Sequence, residues 1–231
     1  KFMIRRLLLP LLIILVSLIA VERLTADRLY AEPITFEFAE PQYQFAEWLA
    51  FSAHASGSIS ITQATVYYQT GSALPVGQPA DEFAAATEVN LAATIKFAAA
   101  RPAAFSIITY WWEVVDAAGN RQQSELRTFK YIDNRFVWQL LDEGHARIYW
   151  YQGDSVLSTS AAKLVADTLP RLEQQLGAKS PEKLDVYIYA GLDDLRSAIE
   201  LAGRDWLGGQ ARPELGVVLI AVPPGPEADL Q

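Results

Sequence analysis

The chain contains no cysteine, which excludes disulfide bonds, thiolate metal sites and cysteine nucleophiles. Histidine is nearly absent as well, with 2 residues among 231. The sequence shows no cluster of metal ligands, no activated nucleophile and no phosphate-binding loop. The residues alone therefore indicate no particular catalytic activity.

Positive charge is also scarce. The 19 Lys and Arg residues stand against 27 Asp and Glu, which gives a formal net charge of -8. The basic residues are scattered, whereas neutralising nucleic-acid phosphates requires clustered Lys and Arg. The composition predicts no nucleic-acid partner. With 51% hydrophobic and 20% charged residues, the chain can bury a sizeable core, and its length favours two domains.

The N-terminus has the pattern of an export signal. Lys1, Arg5 and Arg6 precede an uncharged run from Leu7 to Val21, which corresponds to a charged n-region followed by an apolar h-region. This run is shorter than the roughly 20 residues that cross a bilayer comfortably.

Residues 1–32 are therefore predicted to be a cleaved signal peptide or a membrane anchor, and residues 1–21 contact the membrane if they are not cleaved. A buried core helix is the alternative. Because the basic flank is N-terminal, the rest of the chain is predicted to be extracytoplasmic, either membrane-anchored or secreted. The first residue is Lys and the last residues form no recognisable cap, so we expect a fragment at both ends.

Residues 33–132 have the pattern of an all-β domain. Runs rich in β-branched and aromatic residues alternate with turn sequences such as Ala55–Gly57, Thr70–Ser72, Pro75–Pro79 and Asp116–Asn120. The pattern predicts a β-sandwich of the immunoglobulin or fibronectin type III kind. The seven predicted strands are Ile34–Phe38, Glu47–Ser56, Ile59–Tyr68, Glu82–Asn90, Leu91–Phe97, Ser106–Val115 and Gln123–Ile132.

The stretch Ile107–Asp116, with the Ala-Ala-Gly-Asn-Arg turn that follows, resembles a strand and hairpin of fibronectin-like modules in extracellular bacterial proteins. Trp111 and Trp112 are predicted to point to opposite faces, one into the core and one outward. An outward tryptophan could bind sugar, although packing is the usual role of aromatic residues. His54 is predicted to be packed or solvated rather than a ligand.

The sequence pattern of residues 133–231 predicts an incomplete α+β unit, with strands and helices in the order β-β-α-β-α-β. Arg135–Asp142 and Arg147–Tyr151 form a predicted hairpin. An amphipathic helix follows and ends at Gly177, and Pro170 inside it predicts a kink or two abutting helices. The remaining predicted elements are the strand Leu184–Gly191, the helix Leu192–Ala202 and the strand Gly216–Val222.

Few residues of this unit suggest chemistry. Asp193 and Asp194 begin a helix and are interpreted as capping residues that complement the helix dipole. Glu143 and His145 flank a glycine and could pair as acid and base, but no third group accompanies them. Gly203–Gly209 is glycine-rich but lacks the lysine and hydroxyl of a phosphate loop, so we interpret it as a surface loop.

Taken together, His145–Asp154, the helix to Gly177, Leu184–Gly191 and Gly216–Val222 resemble the N-terminal part of bacterial extracytoplasmic peptidases of the MA-like, gluzincin (thermolysin-like) type. Members often carry a signal or anchor and a β-sandwich in front. The resemblance implies that the last strand is followed by a helix bearing His-Glu-x-x-His, which holds zinc and activates its water. That motif is absent from the 231 residues.

The resemblance therefore implies zinc in the full-length protein, but no catalytic or metal residue and no cofactor in this chain. It also implies that the strand before the motif lies at or near a sheet edge that pairs with extended substrate backbone. The residues concerned are Val217, Val218, Leu219 and Ile220.

The leading hypothesis is the N-terminal fragment of an exported, membrane-anchored zinc metallopeptidase, which acts on a peptide or protein substrate and is itself not catalytic. One alternative is a non-catalytic cell-surface interaction or adhesion module. Another is a carbohydrate-binding β-sandwich that uses Trp111 or Trp112.

Overall fold

The structure, a computed structural model, describes residues 33–98, 101–177, 183–199 and 208–223. This part of the chain is mostly β-sheet with two α-helices. Neither helix is long and apolar enough to cross a membrane. The predicted signal or anchor, residues 1–32, lies outside the described residues, as does most of the predicted loop at 203–209.

An antiparallel sheet of eight strands occupies the first half of the described chain. Its centre is β3, which pairs along its first half with β1, β2 and β5 and along its second half with β4 and β6. The strands β7 and β8 extend the sheet from β6. The strands are β1 Thr35–Phe38, β2 Gln42–Gln44, β3 Trp48–Thr70, β4 Val76–Pro79, β5 Ala86–Lys96, β6 Ile107–Asp116, β7 Arg121–Gln123 and β8 Arg127–Lys130.

The long strand β3 continues where the sequence predicted a turn at Ala55–Gly57, so that prediction is wrong. The pairing register shifts between Ser56 and Ile61, which marks a β-bulge. A Cβ at Gly57 would lie 2.9 Å from Cγ1 of Ile34, so glycine permits a close approach here. The chain bends at the bulge instead of ending the strand.

The two halves of β3 belong to two facing layers. Phe51 in the first half lies 4.7 Å, centroid to centroid, from Tyr110 of β6, which pairs with the second half. Every second residue is buried along β6 and along β3 from Leu49 to Ala55, and Ala64 and Val66 are buried in the second half of β3, as two facing sheets require. The predicted β-sandwich is therefore confirmed, whereas its immunoglobulin or fibronectin type stays a prediction. The largest buried side chains include Phe45, Leu49, Phe51, Ile61, Leu91, Ile108 and Trp112.

A second sheet follows, with the order β12-β13-β11-β10-β9. β10, β11 and β13 are parallel to one another, and the outer strands β9 and β12 are antiparallel to their neighbours. The predicted order of elements is found with one strand, β12, added. The elements are β9 Gln139–Glu143, β10 Ala146–Trp150, α1 Ser155–Leu176, β11 Leu184–Tyr189, α2 Leu192–Ala198, β12 Gly209–Arg212, a 3-10 turn Pro213–Leu215 and β13 Val217–Ala221.

Helix α1 has clear caps at both ends. The side chain of Asp154 accepts a hydrogen bond from the Val156 amide at 3.0 Å. At the other end Gly177 adopts φ 64° and donates its N–H to the Glu173 carbonyl, which confirms its predicted role. The helix runs through Pro170 without ending, so the alternative of two abutting helices is wrong.

Other elements pack against both faces of the second sheet. Helix α1 packs on Ala146, Ile148 and Trp150. The opposite face packs on α2 and on the β-sandwich, and one apolar cluster runs from the sandwich into this face. We call this contact the junction. The predicted domain boundary at residues 132 and 133 falls beside it and stays a prediction.

Candidate functional site

Polar and apolar side chains alternate along β10 and β11, and the polar ones face the junction. Residues on the α1 face are apolar, whereas the opposite face of β11 presents Asp185, Tyr187 and Tyr189, all buried. On the same side, β10 presents Tyr149, and Tyr151 follows directly after the strand; both are partly exposed. Because successive side chains of a strand point to opposite faces, apolar residues face α1 and phenols and carboxylates face the junction.

A buried carboxylate anchors one end of the junction. Asp133 is fully buried and accepts hydrogen bonds from Arg135 Nε at 2.8 Å and Arg135 Nη2 at 2.6 Å. The hydroxyl of Tyr189 donates to the same carboxylate at 3.0 Å. Burial lowers the pKa of the Arg135 guanidinium, but the hydrogen bond to Asp133 and the nearby negative charges together outweigh burial, so the pKa is raised.

Arg135 also holds helix α2 against the junction. Its Nη1 donates to Ser197 Oγ at 2.6 Å and its Nη2 donates to the Asp194 carbonyl at 3.2 Å. The side chain of Asp194 accepts from the Tyr151 hydroxyl at 2.6 Å. Asp193 is exposed and pairs with Arg196 at 3.4 Å. The two aspartates thus have different partners and do not form a carboxylate pair. Both lie in the first turn of α2, where their charge complements the helix dipole, but the N-cap is Gly191 without a side-chain cap hydrogen bond, so the prediction that they cap the helix is wrong.

A second ion cluster lies at the other end of β11. Asp185 accepts from Lys130 Nζ at 2.9 Å and from Arg147 Nε at 2.6 Å. Tyr187 stacks between Phe105, at 3.6 Å between ring centroids, and Tyr149, at 4.4 Å. Lys130 and Phe105 come from the sandwich, so these contacts also hold the two sheets together.

The tyrosines of the junction are hydrogen-bond donors rather than bases. Burial raises the pKa of Tyr151, Tyr187 and Tyr189, and nearby carboxylates add to the rise. All three therefore stay protonated at neutral pH. With every ring packed and its hydroxyl engaged, the junction has the character of a structural contact.

The predicted acid and base candidates lie away from the junction. Glu143 and His145 are exposed around the turn that joins β9 to β10, at the amino end of β10. His54 is on an outward face of the sandwich, with its Nδ1 3.0 Å from Asn90 Oδ1. Within the described ranges, no group of three or more His, Cys, Asp or Glu side chains could hold a metal ion.

The strand predicted to pair with substrate, β13, is the second strand from one border of the second sheet. In β13, Val217 to Ala221 pairs with β11 on one side, and Val217 to Ile220 pairs with β12 on the other. Val217, Val218, Leu219 and Ile220 are therefore near the edge, and among the described residues the edge itself is β12. Their predicted contact with substrate stays a prediction.

The sequence pattern does not predict the edge strand β12. Its residues, Gly-Gln-Ala-Arg, include no β-branched or aromatic side chain, so the strand signal is weak. Gly209 lies so close to β13 that a Cβ would be 3.0 Å from the Leu219 carbonyl oxygen. Arg212 Nη1 donates to the Ala104 carbonyl at 3.3 Å, which ties this edge to the sandwich.

The two predicted tryptophans do point to opposite faces. Trp112 is fully buried in the sandwich core, so it is unavailable to a ligand. Trp111 is partly exposed on the outer face and stacks on Tyr67, with ring centroids 5.5 Å apart and planes 14° apart. The partner Tyr67 was not singled out from the sequence.

No family model matches the chain, and no curated protein matches it either. Among solved structures, the sensor domain of the anti-sigma factor RsgI4 from Pseudobacteroides cellulosolvens is 14% identical with TM-score 0.29, over 43% of this chain and 89% of that one. A family 56 carbohydrate-binding module, a beta-1,3-glucan binding domain, is 16% identical with TM-score 0.27, over 41% and 98%. The purple acid phosphatase PPD1 of yellow lupin is 12% identical with TM-score 0.34, over 83% and 35%. These TM-scores are too low to assign a shared function.

Proposed function

We propose that the chain is the N-terminal portion of an exported zinc metallopeptidase, with the second sheet forming the front of the peptidase domain. The observation that carries the proposal is the edge of that sheet. β12 is antiparallel to β13 and forms one border of the sheet among the described residues. Its outward backbone donors and acceptors can pair with an extended peptide, which adds a strand to the sheet.

The face beside α1 supports the same proposal. Helix α1 lies over β10 and β9. On the same face, Val218 and Ile220 of β13, and Val222 just after it, are only partly buried. A helix placed after β13, as the peptidase resemblance expects, would cover these apolar side chains. The zinc ligands belong to that helix in this proposal, so the chain of 231 residues binds no zinc and cleaves nothing by itself.

The reading frame beyond Gln231 tests the proposal directly. We expect His-Glu-x-x-His within the next few dozen residues, and a full-length protein that contains one zinc per chain and cleaves an unfolded protein substrate. Replacing the glutamate of the motif by glutamine should abolish cleavage and retain the metal. A frame that stops after Gln231 or continues without the motif would refute the peptidase proposal and favour a non-catalytic cell-surface module.

A second candidate function, saccharide binding by the β-sandwich, is favoured by one observation. Tyr67 and Trp111 form a partly exposed aromatic pair in the middle of an outer sheet face. Aromatic faces bind the apolar faces of sugar rings, and the surrounding side chains are polar. This function does not depend on the peptidase proposal.

A further inference from the structure

The outer face around Trp111 is organised in rows across the strands. Tyr67 of β3 is the cross-strand partner of Trp111 of β6. On the same face, Thr65 is opposite Glu113 on one side of this pair, and Gln69 is opposite Thr109 on the other. All six side chains are partly exposed. We call this surface the outer track, and it consists of Thr65, Tyr67, Gln69, Thr109, Trp111 and Glu113.

A glycine widens the aromatic part of the outer track. Gly77 of β4 pairs with Tyr67, and a Cβ at Gly77 would lie 2.8 Å from Tyr67 Cε1. The ring of Tyr67 therefore extends over the neighbouring strand, where any larger residue would displace it. The indole N–H of Trp111 is buried, so the hydrocarbon surface of the ring is what faces outward.

One carboxylate of the outer track is held in place. Glu113 accepts from Gln123 Nε2 at 3.0 Å and from Arg121 Nη1 at 2.8 Å. The hydrogen bond from Gln123 lowers the pKa of Glu113, and Arg121 adds to this effect. The carboxylate is therefore an oriented acceptor, whereas Thr65, Gln69 and Thr109 can both donate and accept.

The charges near the outer track are paired within the face. Glu113 pairs with Arg121 at 2.8 Å. This pair therefore offers no unpaired cation to attract an acidic polymer, and the net charge of -8 repels one. Aromatic rings between rows of hydroxyl and amide groups, with local charges compensated, match an uncharged polyhydroxylated ligand.

We infer that the outer track binds a neutral oligosaccharide chain, with sugar rings on Tyr67 and Trp111 and sugar hydroxyls on the polar rows. This inference rests on the saccharide-binding function proposed above and adds the residues and the ligand class. The peptidase proposal is independent of it.

The test is affinity electrophoresis of the chain in gels that contain neutral β-glucan, xylan or mannan, or acidic polygalacturonate or alginate. Isothermal titration with oligosaccharides of the best ligand then gives affinities. We expect Trp111→Ala and Tyr67→Ala to weaken binding at least tenfold. Gly77→Ala should also weaken binding, because it displaces the Tyr67 ring without removing it.

The matched control is Trp48→Ala, which removes a partly exposed tryptophan at the start of β3, in the other layer of the sandwich. It should bind as the wild type does, and thermal unfolding of each variant checks the fold. If binding to neutral saccharides survives Trp111→Ala and Tyr67→Ala, the ligand does not bind at the outer track. Binding only to acidic polymers would also refute the inference about the outer track. Neither result would refute saccharide binding by the β-sandwich. Absence of binding to every polymer would refute both.

Discussion

Removing the buried carboxylate of Asp133 should destabilise the junction more than any surface change. In Asp133→Ala the guanidinium of Arg135 loses two hydrogen bonds, at 2.8 and 2.6 Å. The hydroxyl of Tyr189 loses its acceptor at 3.0 Å. The substitution therefore leaves a charge and a phenol without their partner at the contact between two sheets.

The expected cost follows from the burial of the pair. Removing one member of a fully buried ion pair costs about 3–5 kcal/mol. The side chain of Asp133 is 0% exposed but that of Arg135 is 25% exposed, so water can solvate part of the remaining charge. We therefore expect a loss of about 2–3 kcal/mol in the free energy of unfolding.

Equilibrium urea unfolding, followed by tryptophan fluorescence and far-UV circular dichroism, measures this loss. Asp193→Ala is the control, because its carboxylate is 98% exposed and its removal should change stability by no more than about 0.5 kcal/mol. Adding Arg135→Met to Asp133→Ala should restore part of the stability, because it removes the unpaired charge. A loss below about 1 kcal/mol for Asp133→Ala, or a double variant no more stable than the single one, would refute the reasoning.

Two further predictions concern the sandwich. Trp112→Ala should lower the free energy of unfolding, measured in urea, by about 3–5 kcal/mol. Trp111→Ala should lower it by less than half of that, because of the two tryptophans only Trp112 is fully buried. Equal losses would contradict the assignment of the two side chains to opposite faces. Burial raises the pKa of Tyr131 to about 12, so the folded state holds this proton more tightly than the unfolded state, and stability should fall as pH rises from 10 to 12. Tyr131→Phe should make that fall shallower, and an unchanged slope would contradict the shift.

Local patterns predicted much of the fold. The alternation in Ile107–Asp116 identified β6 and assigned the two tryptophans to opposite faces, because side chains alternate strictly in a strand. Gly177 identified the end of α1, because the left-handed conformation there favours glycine. Such features depend on neighbouring residues only, and these predictions needed no knowledge of tertiary contacts.

The features that the sequence did not predict depend on tertiary contacts. Nothing near Gly57 indicates that β3 continues, because its two halves are held by pairing with β5 and β6, which come later in the chain. β12 is a strand because β13 pairs with it, although its own residues favour no strand. The partners of Asp133 include Tyr189, which is 56 positions away in the chain. Contacts of this kind cannot be found from one sequence without its fold.

The length of β3 has a consequence for how the protein folds. This single strand of 23 residues supplies a central position to both layers of the sandwich. Neither layer can form its full pairing before β3 is in place, and β3 must meet partners on both sides of itself in the sequence. Because such distant pairings close large loops before they gain stability, we expect the sandwich to fold slowly and in one step, with β3 ordered in the transition state.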